Sequence, residues 1–238
     1  MKIGPLFKWF GSKWQSAKHY PVPEHSRIFE PFAGGAGYSL NYCDRQVTLE
    51  EKDPNLLALW FWLINEATEA TIRAIPVGLP VGTDIHKLEL STGQALLLKH
   101  WQRTNNVGDC TTISPWGDKP GQWTESTRSR VAEQHQAVRH WQILGVTTYA
   151  VEYPATVFVD PPYQYNYRYR ASLPEISYTT LGARCRQLVD HGCQVIVCEA
   201  LGKNGERPDW LPFRDSHSSV TSRRKETQSH HSREMIWP

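Results

Sequence analysis

Short apolar runs alternate with polar segments along this chain, and glycine or proline punctuates most of the boundaries. The alternation predicts buried strands separated by amphipathic helices. We expect strands at 27–32, 46–51, 146–149, 157–159 and 194–199, and helices at 56–63, 88–101, 131–144 and 181–191. Gly145 and Gly192 would end the last two helices, and residues 223–237 would form the final strands. Strands that alternate with helices predict an α/β fold.

The composition is that of a soluble protein. The 238 residues fit one α/β domain with a small inserted lobe, and 39% hydrophobic residues can build a core. No apolar run approaches the roughly 20 residues that cross a bilayer, and the start of the chain lacks a signal-peptide pattern. Five cysteines without a Cys-x-x-Cys pair fit a reducing cytoplasm, and His230-His231 is better explained as a solvated tail than as a metal site. We therefore expect no membrane contact and no metal.

Positive charge is local rather than general. The net charge is only +2, yet lysines and arginines cluster beside aromatic residues. Such clusters are compatible with a phosphate backbone as partner, although a solvated surface produces the same pattern. Charge alone therefore leaves nucleic acid as one candidate partner.

The run from Val157 to Tyr163 carries the most specific chemistry. Val157-Phe158-Val159 predicts a buried strand, and Pro161-Pro162 ends it because proline lacks an amide hydrogen. Asp160 therefore lies at the tip of a strand. In open α/β sheets, ligands bind at that carboxyl edge.

This grouping suits a nucleobase amine, which is a poor nucleophile because its lone pair is delocalised into the ring. The Asp160 carboxylate and the Pro161 carbonyl can each accept one amine hydrogen, and Tyr163 can stack on an extruded base. The alternative is an ordinary strand followed by a Pro-Pro turn with an aspartate cap.

The tetrapeptide Asp160-Pro161-Pro162-Tyr163 resembles the catalytic motif of amino-group methyltransferases, which methylate adenine or cytosine amines with S-adenosylmethionine. The opening stretch 7–14 is similar to the Lys-Trp-x-Gly-x-Lys opening of the Dam-like DNA adenine methyltransferases. In that family the tryptophan and the second lysine contact the cofactor. The resemblance therefore implies cofactor contacts for Trp9 and Lys13.

Two further stretches resemble cofactor motifs of the same family. Glu30-Pro31-Phe32 leads into a glycine-rich turn that differs from the Gly-x-Gly-x-x-Gly fingerprint, and the resemblance implies cofactor contacts for Phe32, Gly34, Gly35 and Gly37. At the end of the second strand, Glu51 stands where the family has an aspartate that holds the ribose hydroxyls. Asp53 then falls at a helix start and is better explained as its cap.

The segment from Arg103 to about Arg130 is polar and irregular but contains Trp116 and Trp123, which favours function over disorder. Dam-like enzymes carry target recognition in this part of the chain. Side chains that can read base edges are Arg103, Asn105, Asn106, Gln122 and Arg128, and Arg168 and Arg170 beside the catalytic motif are candidates for phosphate contacts.

Together these resemblances imply a Rossmann-like S-adenosylmethionine-dependent methyltransferase fold. Residues 1–75 and 131–238 would form the catalytic and cofactor-binding domain, and residues 76–130 an inserted target-recognition lobe. The implied activity is methylation of adenine N6 in double-stranded DNA, and the implied catalytic residues are Asp160, Pro161, Pro162 and Tyr163. We expect a monomer or weak dimer in bacterial cytoplasm or in a phage-infected host cell. Alternatives are a cytosine-amine or RNA methyltransferase, or a catalytically silent nucleic-acid-binding module. Cytosine enzymes more often have serine at the position of Asp160.

Overall fold

The computed structural model describes residues 2–102, 110–115, 119, 121–145, 151–164, 176–200, 208–211, 218–221 and 233–236. The strands in these ranges are β1 (Arg27–Glu30), β2 (Gln46–Glu51), β3 (Gln142–Gly145), β4 (Thr156–Val159), β5 (Gln194–Val197), β6 (Glu199–Ala200), β7 (Ser218–Thr221) and β8 (Arg233–Ile236). The α-helices are α1 (Pro54–Phe61), α2 (Glu69–Arg73), α3 (Thr92–Gln102), α4 (Glu125–Gln134) and α5 (Tyr178–Asp190). A π-helical turn (Trp62–Glu66) extends α1, and short 3-10 helices lie at Ala17–His19, Ser39–Tyr42, Ile85–Lys87 and His135–Val138.

Five strands form an all-parallel sheet in the order β3-β2-β1-β4-β5. The strands β2 and β3 are thus added in turn on one side of β1, and β4 and β5 are then added in turn on its other side. This order reverses between β1 and β4, and in doubly wound folds such a reversal opens a crevice at the carboxyl ends of the two strands. The α/β class is as predicted, and the sheet is compatible with a Rossmann-like fold.

Both faces of the sheet are buried. Alternate residues of β4 enter different cores: Phe158 packs with Tyr38 and the helices on one face, while Val157 and Val159 pack with α5 on the other. Because both faces are covered there, β4 and β5 are buried at every position, as is usual for parallel sheets. The strands β2 and β3 towards the other edge keep exposed polar residues, Gln46 and Gln142. The sheet is therefore a rigid support for its carboxyl edge.

The region 76–130 shares the core with the sheet. Leu97, Leu98 and Trp101 of α3 and Trp123 belong to the same apolar cluster as β1 and β2. The indole of Trp101 also donates to the carbonyl of Leu6 at 3.0 Å. The described part of this region therefore packs directly against the opening segment of the chain.

Two predictions of secondary structure are wrong. The predicted helix 131–144 is divided: α4 begins earlier, behind the Thr124 cap, and ends at Gln134, and residues 142–145 form β3. Gly145 therefore lies in a strand that pairs with Glu51 instead of ending a helix. Pairing with β2 decides the conformation here, because a four-residue edge strand has too few positions to show its own period. The irregular segment likewise stops at Thr124 and not at Arg130.

A second sheet of three strands begins directly after β5 in the chain. Its order is β6-β8-β7 with antiparallel pairs, and β6 follows β5 after Cys198 alone. The expectation of final strands within 223–237 is confirmed for Arg233–Ile236. The predicted strand at 146–149 lies outside the described residues.

Candidate functional site at the carboxyl edge of the sheet

The strand registers bring the predicted site acids to one level of the sheet. Phe29 pairs with Val157 on β4, and Glu30 pairs with Leu49 on β2. Continued to Phe32, these registers reach Asp160 on one side and Glu51 on the other. The acids thus lie at the ends of β2 and β4, on the two sides of β1, at the edge where the strand order reverses.

The glycine turn lies between these two acids. Gly34 has a φ of +47°, a conformation that favours glycine. Its amide donates to Glu51 Oε2 at 3.0 Å, and its carbonyl accepts from the buried indole of Trp60 at 2.8 Å. The turn is therefore held at both of the peptide groups that flank the Gly34 Cα.

The opening loop packs against this turn with no room for side chains. A Cβ atom at Gly34 would lie 2.5 Å from Trp9 Nε1, and one at Gly35 would lie 2.9 Å from Trp9 Cβ. At Gly37 it would lie 2.5 Å and 2.6 Å from the backbone nitrogens of Trp14 and Lys13. These glycines are thus required for the close approach of the loop that carries Trp9 and Lys13.

Lys13 connects the opening loop to Asp160 and Tyr163. Its ammonium group donates to both Asp160 oxygens at 2.8 Å and to the Gly11 carbonyl at 2.9 Å, and it lies 5.2 Å from the centre of the Tyr163 ring. The side chains of Lys13 and Asp160 are only 7% and 19% exposed. The pair is therefore largely desolvated, which strengthens the attraction and fixes the carboxylate next to the glycine turn.

The carbonyls of the two prolines have different surroundings. The Pro162 carbonyl accepts from the Tyr178 hydroxyl at 2.5 Å. Among the described residues, none donates a hydrogen bond to the Pro161 carbonyl. Pro161 therefore offers an acceptor directly beside Asp160.

Glu51 accepts three backbone amides, from Gly34, Lys52 and Asp53. Burial raises the pKa of its carboxyl group, and these hydrogen bonds lower it again in part. The prediction that Asp53 caps a helix is confirmed, since its side chain accepts from the amides of Asn55 and Leu56 at the start of α1. Asp53 thus caps α1, whereas Glu51 binds the glycine turn through the Gly34 amide.

Two buried acids at this edge were missing from the predicted site. Glu30, at the end of β1, is 2% exposed and accepts from the Ser39 amide at 2.7 Å, and burial raises its pKa to about 8. Glu199, after β5, is fully buried and accepts from the backbone of Gln164 and from the Trp210 indole. Glu199 ends the predicted strand 194–199, and Glu30 lies near the end of the predicted strand 27–32, directly before Pro31; these positions were the available sequence signal.

Of the predicted DNA-binding residues, two are described and both make contacts within the chain. Gln122 is buried and accepts from Lys8 Nζ at 2.6 Å. Arg128 donates to the Ile75 carbonyl at 3.0 Å and pairs with Glu125. Arg103, Asn105, Asn106, Arg168 and Arg170 lie outside the described residues, so DNA contact by this set stays a prediction.

Comparison with known proteins adds no family. The chain matches no protein-family model, and a search of curated proteins gives no significant match. No helix within the described ranges is both long and apolar enough to span a bilayer. Inference about function therefore depends on the site and on the motif resemblances.

Proposed function

We propose that this protein is a site-specific DNA methyltransferase that transfers a methyl group from S-adenosylmethionine to the 6-amino group of adenine. One observation carries the proposal: the Asp160 carboxylate and the adjacent Pro161 carbonyl, to which no described residue donates, lie at the carboxyl edge of the sheet, and Lys13 joins Asp160 to the loop that packs on the glycine turn. An amine acceptor site next to a nucleoside cradle is what this transfer needs.

The residues around the glycine turn fit the cofactor. Gly34, Gly35 and Gly37 permit the close packing of the opening loop, which brings Trp9 and Lys13 to the turn. Glu51 presents a carboxylate at the end of β2, where doubly wound folds hold ribose hydroxyls, and Trp9 presents a flat apolar ring. When bound, S-adenosylmethionine supplies a methyl group that is already activated by its sulfonium centre.

Asp160 and Pro161 act on the amine of the base. Each accepts one amine hydrogen, so the nitrogen becomes more pyramidal and its lone pair becomes available for attack. As positive charge develops on that nitrogen, the nearby carboxylate stabilises it in a site with little water. The two proline rings fix the backbone, so the acceptors are already oriented before the base arrives.

Lys13 orients the Asp160 carboxylate in the absence of substrate. A carboxylate has about four lone-pair positions, so the same group can accept from Lys13 and from an amine. The ammonium group also binds the Gly11 carbonyl, so the opening loop and the catalytic motif are fixed relative to each other. Lys13 thereby couples the cofactor side of the crevice to the base side.

The adenine must leave the duplex to reach this edge, since its amine is otherwise engaged in base pairing. Tyr163 then stacks on the extruded ring, a contact of about 1–3 kcal/mol. This contact depends on the direction in which the ring is held.

The test is product identification. Purified protein is incubated with methyl-labelled S-adenosylmethionine and, separately, with unmethylated duplex DNA, single-stranded DNA and RNA, followed by digestion to nucleosides. We expect labelled N6-methyladenine from duplex DNA, at a defined sequence once the product is sequenced. Labelled methylcytosine, label in RNA alone, or no label would contradict the proposal and would point to the cytosine, RNA or silent alternative respectively.

A further inference from the structure

Glu199 is a buried acid with no role in the mechanism above. It is the first residue of β6, two positions after the end of β5, and its side chain is fully buried. A buried carboxylate is costly unless hydrogen bonds compensate for lost hydration. Its hydrogen-bond partners therefore indicate what it does.

Those partners belong to the catalytic motif and to the loop before β7. The backbone amide of Gln164 lies 3.2 Å from Glu199 Oε1 and 3.3 Å from Oε2, and the Trp210 indole donates to Oε2 at 3.0 Å. Gln164 directly follows Tyr163. Glu199 thus holds the peptide group on the carboxyl side of that tyrosine.

The peptide group on the other side of Tyr163 is held as well. Its oxygen is the Pro162 carbonyl, which accepts from Tyr178 on α5. Two fixed peptide planes determine the φ and ψ of the residue between them. The backbone conformation of Tyr163, and with it the direction of the Cα–Cβ bond that carries the ring, is therefore set by Glu199 and Tyr178 from two different elements.

We infer that Glu199 is a positioning residue that aims the Tyr163 ring at an extruded purine base. This inference rests on the proposed function, because it concerns how that site holds its substrate. Without the carboxylate, the 163–164 peptide can rotate and the ring loses its fixed direction. Misplacement of about 1 Å at such a site can reduce turnover by up to about 100-fold.

The competing explanation is that Glu199 only satisfies the buried Trp210 indole. A double-mutant cycle with Tyr163 separates the two. If Glu199 acts through the tyrosine ring, Glu199→Ala should lower kcat about 10- to 100-fold in the native background and have little effect in the Tyr163→Ala background. A purely structural role would give the same loss in both.

The experiment measures kcat, the Kd for S-adenosylmethionine, and the fluorescence of 2-aminopurine at the target position of duplex DNA. We expect Glu199→Ala to leave the cofactor Kd within about threefold of wild type and to raise 2-aminopurine fluorescence, because an extruded base that does not stack is less quenched. Glu152→Gln is the matched control, since Glu152 is an exposed acid that pairs only with Arg27 among the described ion pairs. It should change none of these quantities.

If Glu199→Ala does not fold, Glu199→Gln replaces it in the cycle. The amide has nearly the same shape but loses the charge-assisted acceptor, so the same dependence on Tyr163 is expected with a smaller loss. Additive losses, or unchanged kcat, in a wild-type enzyme that methylates DNA would overturn this inference alone. A wild-type protein without methyl transfer would overturn the proposed function as well.

Discussion

Glu30 gives a prediction that can be worked out from the structure. Its carboxyl group is buried at the end of β1, with the Ser39 amide as donor and with Asp160 and Lys13 as the nearby charges that affect it. Burial raises its pKa from an ordinary 4.5 to about 8, so the folded protein keeps this group protonated at pH 7 while the unfolded chain ionises it. Folding therefore takes up a proton in this range.

This proton uptake determines how the free energy of unfolding changes with pH. As the pH rises from 4.5 towards 8, the unfolded state increasingly holds fewer protons than the folded state, so the free energy of unfolding falls. Each pH unit between the two pKa values costs about 1.4 kcal/mol, and the full interval corresponds to about 5 kcal/mol as an upper value. Below pH 4.5 the cost vanishes, and above 8 it is constant.

Glu30→Gln isolates this contribution. The amide oxygen can still accept from the Ser39 amide, but the side chain no longer ionises. We expect urea unfolding to give similar stabilities for wild type and variant near pH 5, and a variant that is several kcal/mol more stable at pH 9. If the difference between the two proteins does not change with pH, the reasoning is refuted, because Glu30 is then ionised or solvated in the fold.

Two other substitutions test the loop contacts and the helix cap. Gly37→Ala would push a methyl group into the backbone of Lys13 and Trp14, so calorimetry should show at least about tenfold weaker S-adenosylmethionine binding and urea unfolding a loss of about 1–3 kcal/mol. Gly121→Ala is the control for backbone strain without a clash, because its added methyl group meets nothing within 4 Å although its φ of +82° disfavours alanine, and it should keep the cofactor Kd. Equal Kd values for both variants would contradict the contact argument. Asp53→Ala removes two capping hydrogen bonds from α1 and should cost about 1 kcal/mol in urea unfolding without changing the cofactor Kd. A large change in that Kd would mean that Asp53, and not Glu51 alone, belongs to the site.

The sequence predicts the part of the site that depends on strand ends. The runs before Glu30 and Asp160 are apolar, the mixed run before Glu51 alternates polar and apolar residues, and proline follows each of them closely, so the ends of β1, β2 and β4 could be located closely. Parallel pairing then brings these ends to one edge. Such positions follow from local pattern, because burial on both faces leaves a continuous apolar run.

Contacts between distant segments could not be predicted in this way. The ion pair of Lys13 with Asp160 joins residues 147 positions apart, and the hydrogen bond from Gln164 to Glu199 joins residues 35 apart. The local sequence around these residues does not indicate which distant residue each of them contacts. Likewise, β3 became a strand because β2 offers it a pairing edge, although the apolar spacing of 131–144 also fits a helix.

The recognition residues show a further reason for failure of sequence reasoning. Gln122 and Arg128 were selected because amide and guanidinium groups can read base edges, yet the same groups also satisfy internal carbonyls and charges. Here Gln122 accepts a hydrogen bond from the Lys8 ammonium group, and Arg128 donates to the Ile75 carbonyl and to the Glu125 carboxylate. Residue type alone therefore does not distinguish DNA contact from internal hydrogen bonding.

The central claim, that Asp160 serves the chemical step beside a separate cofactor cradle, is tested most directly by comparing cofactor binding with single-turnover methyl transfer in Asp160→Asn. The matched control is Asp84→Asn, a cap distant in sequence from the motif whose function asparagine can also fulfil. We predict that Asp160→Asn binds S-adenosylmethionine within about threefold of wild type while the transfer rate to duplex DNA falls at least about 100-fold. An unchanged transfer rate, or loss of cofactor binding and transfer together, would contradict the account.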